Sequence, residues 1–311
     1  MQPHVHGEQK RRMKFMRVCA ALLTAGSLLM SGCATLYNPA TEKQEIVLIT
    51  TPMETALGKN TAIQVAKQYT FIKDPKQVDK VTEIGEKLAK VSDRTDLKYH
   101  FAVVEDKEIN AFTMPGGYIY INSGLLAITN NDDEIACVIG HEIGHVAARH
   151  IAKKLQAQLG YDILMNIALR NASVRQMQQA VDVTFNLIEL GYSREDELLA
   201  DRLGAKYAYK AGYDPKAMIT FLKKLKEKDK ADMGPIFLRS HPYTSKRIEM
   251  MEQQIPFIIA KVDAKSTPTI SKPAEGGEAQ KRPLKVMCRK CRRIFPGTVN
   301  YCPYDGTRLS P

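Results

Sequence analysis

The stretch CVIGHEIGHVAARH, residues 137–150, constrains the fold more than any other part of this chain. On a helix each residue turns by about 100°, so His141 and His145 project from one face about 40° apart. Gly140 and Gly144 each cost a helix about 1 kcal/mol relative to Ala, so they require a packing or access reason. The stretch therefore predicts a helix, and Cys137 is expected to be a small buried apolar residue on it.

Two imidazoles one helical turn apart can bind one zinc ion at about 2 Å each. Glu142 flanks the same face, where its carboxylate can take a proton from a metal-activated water. This is the chemistry of an H-E-x-x-H pattern. His150 is predicted to point away from His141 and is excluded as a ligand. The alternative interpretation is a pair of hydrogen-bonded histidines on an ordinary helix surface.

A catalytic zinc site keeps three protein ligands and one open position, so a third ligand must come from elsewhere. The segment SREDELLADRLG, residues 193–204, supplies the best candidate. Glu197 is predicted to bind the metal, with Glu195 as the fallback. Asp201, one turn later, is predicted to hydrogen-bond a ligand histidine and fix its tautomer. The alternative is a solvated acidic helix face.

Four motifs occur in the order in which they occur in the gluzincin peptidases related to HtpX, BepA, Oma-type proteases and CAAX prenyl proteases. They are NAFTMPGGYIYINSGLL (110–126), HEIGH, ELLAD and SHPYTSKRI (240–248). The chain resembles this family over about residues 40–255. The resemblance implies zinc ligands His141, His145 and Glu197, with Glu142 as general base. It also implies that Asp201 hydrogen-bonds a ligand histidine.

His241 lies in the last of these motifs, and the resemblance gives it two possible roles. In BepA-like members the matching histidine can occupy the open position on zinc and hold the protease shut. In other gluzincins a histidine or tyrosine stabilises the oxyanion instead. A third interpretation makes His241 a capping residue before Pro242. Arg247 is a lesser candidate for organising this loop.

Peptidases of this kind bind extended chains by adding a strand to a sheet edge. The segment GGYIYINSG is the predicted place for this edge, with the strand at residues 117–122. The implied substrate is an unfolded or extended protein segment. The residues expected to line the cleft are Asn110, Met114, Pro115, Gly116 and Gly117.

The net charge of +11 lies in the two ends of the chain. Residues 1–32 carry five Lys/Arg against one acid, and residues 261–311 carry eleven against four, so the middle is neutral. A nucleic-acid-binding face on the core is therefore not expected. The basic start, the apolar run 18–30 and the small residues after it predict a secretory signal peptide. Ser31-Gly32-Cys33 resembles a bacterial lipobox, and this resemblance implies that Cys33 is lipidated. An uncleaved anchor is the alternative. Ala34 suggests the outer membrane of a Gram-negative bacterium, by resemblance to its lipoproteins.

The end of the chain predicts a separate small module. Residues 261–284 are poor in large apolar side chains and are predicted to form a flexible linker. The following segment resembles a zinc ribbon, in which Cys288, Cys291, Cys302 and Asp305 would hold a second, structural zinc. A disulfide among the three cysteines is the rival.

The predicted fold is α+β and mostly helical, with a zincin-like metallopeptidase core and a small β-sheet beside the HExxH helix, followed by the zinc-ribbon-like tail. The predicted function is a zinc-dependent endopeptidase acting on unfolded or misassembled envelope proteins in the periplasm. The alternative is a largely latent protease that serves outer-membrane proteins as a chaperone or assembly factor, with His241 plugging the zinc. A lipid-tethered membrane attachment and an envelope assembly machinery are the implied partners. The predicted segments are 1–32 (signal peptide), 33–260 (peptidase), 261–284 (linker) and 285–311 (ribbon).

Overall fold

The structure is a computed structural model that describes residues 35–228, 236–242, 244–266, 285–289, 292 and 294–296. The chain divides into two units. The first contains residues 35–38 and 43–48, where strands β1 (Thr35–Asn38) and β2 (Lys43–Ile46) pair antiparallel. The second contains residues 39–42 and everything described from Ile49 onward. The sequence EIVLIT (45–50) predicts a strand, and the observed strand β2 begins earlier, at Lys43, and ends at Ile46.

The second unit is built mainly from helices, which confirms the predicted mostly helical α+β class. The helices are α1 (Thr51–Gln68), α2 (Pro75–Val91), α3 (Ser123–Leu126), α4 (Asp132–Ala147), α5 (His150–Gln158), α6 (Tyr161–Ala168), α7 (Val174–Glu189), α8 (Arg194–Lys210), α9 (Ala217–Lys228), α10 (Ile236–Ser240) and α11 (Thr244–Ser266). None of the described helices is both long and apolar enough to cross a bilayer.

A three-stranded sheet lies beside α4, the helix that carries HEIGH. Strand β5 (Tyr118–Asn122) is central, with β3 (His100–Val104) parallel on one side and β4 (Ala111–Met114) antiparallel on the other. The prediction that residues 117–122 form a sheet edge is therefore wrong, because both sides of β5 already carry a strand. Strand β3 also pairs with Phe71 through an isolated bridge at Val104. Among the described strands of this sheet, β4 is therefore the one that pairs with a single neighbour and nothing else.

Helix α4 packs between this sheet and α8, and nearly all of it is buried. Its glycines set the distance to α8. A Cβ on Gly140 would lie 2.9 Å from the carbonyl oxygen of Gly204, and one on Gly144 would lie 2.8 Å from that of Ala200. The two glycines thus allow the helix backbones to touch, which is the packing reason that their helix cost requires.

The sequence predicts one long helix through HEIGH to about Gln158, but α4 ends at Ala147, eleven residues earlier. Arg149 adopts a left-handed conformation with φ 61°, so the chain turns and starts α5 in a new direction. The sequence also predicts a second long helical region over about 162–189, which is two helices, α6 and α7, with Arg170 at φ 59° between them. Side chains after each break no longer follow the helical periodicity read from the sequence.

The tail is described only in short pieces. Strands β6 (Lys285–Met287) and β7 (Ile294–Pro296) pair antiparallel, and Cys288 is buried. The predicted lipidation site Cys33, the predicted signal peptide, most of the predicted linker and the candidate ligands Cys291, Cys302 and Asp305 lie outside the described residues.

Candidate metal centre

Four buried side chains converge at one point: His141, His145, Glu197 and His241. His141 Nε2 lies 3.0 Å from His145 Nε2 and 3.2 Å from His241 Nδ1. Glu197 places Oε2 3.6 Å from His141 Nε2, and Oε1 3.5 Å from His145 Nε2 and 3.0 Å from His241 Nδ1. The structure thus brings together the three ligands predicted from the sequence and the histidine whose role was left open.

These separations fit a zinc ion. Ligand atoms arranged tetrahedrally at about 2.0–2.1 Å from zinc are about 3.3 Å from one another, and the observed 3.0–3.6 Å lie on either side of that value. Three imidazole nitrogens that face one another cannot all carry a proton, because their N–H groups would point at one another. A cation between them removes that conflict, so the donor set of three nitrogens and a carboxylate suits zinc.

Two helices and one short turn position the donors. Helix α4 carries His141 and His145, and their rings reach the site because Gly140 and Gly144 let α8 approach. Helix α8 presents Glu197 in its first turn, where Ser193 accepts a hydrogen bond from the Asp196 N–H and Asp196 accepts one from the Ser193 N–H. This capping box fixes where α8 begins. The fallback ligand Glu195 is exposed and lies outside the cluster.

Asp201 holds His141 from behind, in the position that the sequence predicted. Its Oδ1 lies 2.8 Å from His141 Nδ1. An ionised carboxylate only accepts, so the proton of His141 is on Nδ1 and the lone pair of Nε2 faces the cluster. Burial alone would raise the pKa of Asp201, but Arg247 and its hydrogen bonds lower it, which keeps this acceptor ionised.

Arg247 is almost fully buried and links three parts of the site. Its Nε and Nη2 each donate to Asp201 at 2.7 Å, and Nη1 donates to the carbonyl of His241 at 3.1 Å. Nη1 also lies 2.8 Å from Glu197 Oε2 as an ion pair, although the angle is not that of a hydrogen bond. Arg247 therefore organises the His241 loop and also compensates the buried acids of α8.

Glu197 is held ionised by its surroundings. Burial would raise its pKa, but the positive charges of His241 and Arg247, with His141, lower that pKa well below the usual value. His241 is affected in the opposite sense: burial would lower its pKa, and the carboxylate of Glu197 raises it. Burial lowers the pKa of His145 well below its usual range, which favours the neutral imidazole that binds metal.

Glu142 is fully buried beside the donors, and its two oxygens have different environments. Thr113 on β4 donates a hydrogen bond of 2.7 Å to Glu142 Oε2. Oε1 has no hydrogen-bond partner among the described residues, and His241 Nε2 lies 3.6 Å away from it. One oxygen of the predicted base is therefore fixed, while the other remains able to accept a proton.

His145 has a hydrogen-bond partner in His150, which was excluded as a ligand from the sequence and lies outside the four-donor cluster. The prediction that His150 points away from the site is wrong, because the left-handed turn at Arg149 returns its ring to His145, with 2.8 Å between the two Nδ1 atoms. Burial lowers the pKa of His150 to about 4, so it is neutral near pH 7. Tyr192 stacks on the other side of His145, with ring centroids 3.8 Å apart.

His241 is enclosed by aromatic rings. Phe237 and Tyr192 stack against it, with centroid distances of 4.3 and 5.4 Å. These rings, together with the Arg247 bond to its carbonyl, hold His241 facing the other three donors. The interpretation of His241 as only a capping residue does not account for this placement.

The residues predicted to line a substrate cleft are mostly buried. The turn Pro115–Gly117 packs against α1, and a Cβ on Gly116 would lie 2.8 Å from the carbonyl oxygen of Glu54. Gly116 and Gly117 have φ of 75° and 85°, so both packing and backbone require glycine here. Asn110 is half-buried, with an Oδ1 that has no partner among the described residues. Their part in a substrate cleft stays a prediction.

Three residues at the site were not found from the sequence: Thr113, His150 and Tyr192. The motif NAFTMPGG did contain Thr113, but nothing in its spacing indicated which helix it would face. His150 lay in the opening stretch and was lost because a helix was extended through Arg149. Tyr192 precedes the capping box of α8, and no periodicity identified it.

Comparisons with known proteins agree with this geometry. The beta-barrel assembly-enhancing protease of Yersinia pestis is 29% identical over 205 residues, which is 63% of this chain and 42% of that protein. That of Escherichia coli K12 gives the same identity and coverage. The mitochondrial metalloendopeptidase OMA1 of Schizosaccharomyces pombe is 29% identical over 178 residues, 57% of this chain and 52% of that protein.

The match thus spans about two fifths of the length of the bacterial relatives. The sequence profile described as Peptidase family M48 matches residues 75–255, which is more than half of the chain and includes every residue of the metal centre. The chain belongs to peptidase family M48 and carries the residue set of a metalloendopeptidase.

Proposed function

We propose that this protein is a zinc-dependent endopeptidase that hydrolyses peptide bonds in unfolded or misassembled proteins of the bacterial envelope. The observation that carries the proposal is the buried cluster of four donors with Glu142 beside it. Membership in a peptidase family supports the reaction class. The envelope setting is supported by the predicted signal peptide and by bacterial relatives named beta-barrel assembly-enhancing proteases.

His141, His145 and Glu197 would hold the zinc ion. When bound, zinc supplies a Lewis acid that lowers the pKa of a coordinated water to about 7 and polarises a carbonyl. Glu142 takes the proton of the attacking water on Oε1 and returns it to the leaving amide nitrogen. Thr113 holds Oε2, so the carboxylate keeps one orientation through both transfers.

The side of β4 that pairs with no other strand among the described residues is the proposed place for an extended substrate. Asn122 N–H donates to the carbonyl of Asn110, so the alternating antiparallel register directs the backbone groups of Phe112 and Met114 toward β5. The backbone groups of Ala111 and Thr113 then point to the other side of β4. A substrate paired there would be read through its backbone, with little dependence on its side chains.

The proposed location is the periplasm, with the protein tethered through lipid at Cys33, in the outer membrane of a Gram-negative bacterium. This part rests on the sequence of the first 34 residues. An envelope assembly machinery is the proposed partner. Metabolic labelling with a palmitate analogue tests the tether, since labelling is expected in the wild type and absent in Cys33→Ala.

A second candidate function is favoured by the position of His241. Its Nδ1 occupies the fourth corner of the donor cluster, and its Nε2 lies 3.6 Å from the free oxygen of Glu142. A histidine held in this place excludes the attacking water and faces the base. The protein would then be a largely latent protease that binds outer-membrane proteins as a chaperone or assembly factor.

Cleavage of denatured casein and of a denatured outer-membrane β-barrel protein tests the proposal. We expect the purified full chain to cut both, and we expect a zinc chelator or Glu142→Gln to abolish cutting. Cleavage that survives the chelator, or full activity in Glu142→Gln, would refute it. If wild type cuts slowly and His241→Ala cuts faster, the latent form is the correct one.

A further inference from the structure

His145 requires an acceptor for its second ring nitrogen. A histidine that binds metal through Nε2 carries its proton on Nδ1, and that N–H is almost always bonded to an acceptor that fixes the ring. For His141 the acceptor is Asp201. No carboxylate is hydrogen-bonded to His145 Nδ1 among the described residues; its hydrogen-bond partner is His150 Nδ1, at 2.8 Å.

His150 can accept this bond only if its own proton is on Nε2. The carboxylate of Asp196 provides the reason, because its Oδ1 lies 3.3 Å from His150 Nε2. A negative charge at that nitrogen favours the tautomer with hydrogen on Nε2 and a lone pair on Nδ1. Asp196 is itself fixed, since it is the N3 residue of the capping box at the start of α8.

We propose that Asp196 and His150 form a positioning pair that fixes the tautomer and ring orientation of His145, as Asp201 does directly for His141. The pair is a positioning device, because neither residue belongs to the donor cluster. It deepens the proposed function and rests on it, since it acts on a ligand of the proposed zinc site.

The backbone supports the same assignment. His150 follows His145 by five residues, which on an unbroken helix would place it about 140° around the axis. It reaches His145 because Arg149 adopts φ 61°, a conformation that costs a residue with a side chain about 1 kcal/mol. Buried contacts hold that turn: the Arg149 guanidinium donates to the carbonyl of Ile49 and lies 3.3 Å from Glu54. Strain retained beside a site is a reason to look for a role there.

Tyr192 restricts the ring of His145 through a separate contact. Tyr192 stacks on it at 3.8 Å, and Lys154 lies over the Tyr192 ring at 4.4 Å from its centroid. Stacking limits the tilt of the imidazole but leaves its tautomer undetermined. The hydrogen bond to His150 determines the tautomer of His145, which the stacking does not.

The test is zinc affinity, measured by competition with a chromophoric chelator on the full chain. We expect His150→Leu, which removes the acceptor, to lose about 10- to 100-fold in affinity. His150→Asn keeps an acceptor near the position of Nδ1 and is expected to recover most of that loss. Asp196→Asn keeps the capping acceptor but removes the charge, and is expected to lose about three- to tenfold. Its matched control is Glu195→Gln, on the exposed side of the same turn, which is expected to stay within about twofold of wild type.

A second readout separates positioning from loss of fold. Thermal unfolding of the metal-free proteins shows whether each variant folds, and the visible spectrum of cobalt(II) reports ligand arrangement. A changed cobalt spectrum in a folded His150→Leu, restored in His150→Asn, supports the pair. If His150→Leu does not fold, the comparison of Asp196→Asn with Glu195→Gln decides.

The outcomes distinguish this proposal from the proposed function. If the wild-type protein binds no zinc, the positioning pair and the zinc endopeptidase proposal are both overturned. Wild type that binds zinc, with a folded His150→Leu that binds it equally well, overturns the positioning pair and leaves the peptidase proposal intact. Equal affinity in Asp196→Asn and Glu195→Gln overturns the part assigned to Asp196.

Discussion

The backbone contact between α4 and α8 determines whether the zinc ligands reach one another, and Gly144→Ala perturbs it directly. The added Cβ would lie 2.8 Å from the carbonyl oxygen of Ala200, whereas ordinary contact begins at 3.4 Å. The two helices must therefore separate by roughly 0.6 Å. Metal–ligand distances tolerate only about 0.2 Å. Glu197 lies on α8, one turn before Ala200, so it would move away from the histidines of α4.

We expect Gly144→Ala to lower zinc affinity by at least about tenfold, which corresponds to about 1.4 kcal/mol. The effect on the metal-free fold is smaller. Overpacking costs about 1–3 kcal/mol, and replacing a helical glycine by alanine returns about 1 kcal/mol. A net change of about 0–2 kcal/mol shifts the melting temperature by only a few degrees in a domain of this size. Chelator competition measures the affinity, and unfolding with and without chelator separates the two effects.

The chain offers a matched control at Gly160. An ideal Cβ there meets no atom within 4 Å among the described residues, so Gly160→Ala is expected to leave affinity unchanged. Zinc affinity in Gly144→Ala within about twofold of wild type would refute the argument that backbone contact fixes the metal geometry. An equal loss in Gly160→Ala would refute it as well.

Three further perturbations have definite expected outcomes. Thr113→Val removes the hydrogen bond to Glu142, so we expect kcat for peptide hydrolysis to fall about five- to tenfold with KM unchanged, while Thr113→Ser stays near wild type. Arg94→Met removes the buried partner of Glu54, and we expect about 3 kcal/mol of destabilisation in denaturant unfolding. The carboxylate would then keep Arg149, 3.3 Å away, as its one ion-pair partner among the described residues. His241→Ala frees the fourth corner of the cluster, and we expect faster casein cleavage if His241 closes the site.

Each of these has a contradicting result. Equal kcat in Thr113→Val and Thr113→Ser would show that Thr113 does not position the carboxylate of Glu142. An Arg94→Met protein as stable as wild type would show that Arg149 alone compensates Glu54. Slower cleavage by His241→Ala would assign His241 to oxyanion stabilisation in place of closure.

His141, His145 and Glu197 were predictable because their chemistry depends on spacing within single helices, whereas His241 was indicated only by the family resemblance. HEIGH places two imidazoles on one face whatever the rest of the chain does, and the first turn of α8 carries Glu197 four residues before Asp201. The glycines of α4 indicated in advance only that a packing or access reason was needed, and the contact with α8 supplies it. These features are local, so the sequence contains them.

The errors came from places where tertiary structure overrides local pattern. Arg149 leaves the helical region, and that one dihedral reverses the direction in which His150 points. Strand order depends on pairing between distant segments, so β5 was taken for an edge when β3 and β4 enclose it. The hydrogen bond from Thr113 to Glu142 joins residues 29 apart in the sequence, which no periodicity can reveal.

The most direct test of the central claim is the zinc content per chain of the wild-type protein and of a His141→Ala, His145→Ala double variant, measured side by side by mass spectrometry. The difference isolates the proposed site from any metal held by the tail. The four-donor cluster predicts that the wild type holds one zinc ion per chain more than the double variant. Equal zinc content in the two folded proteins would contradict it.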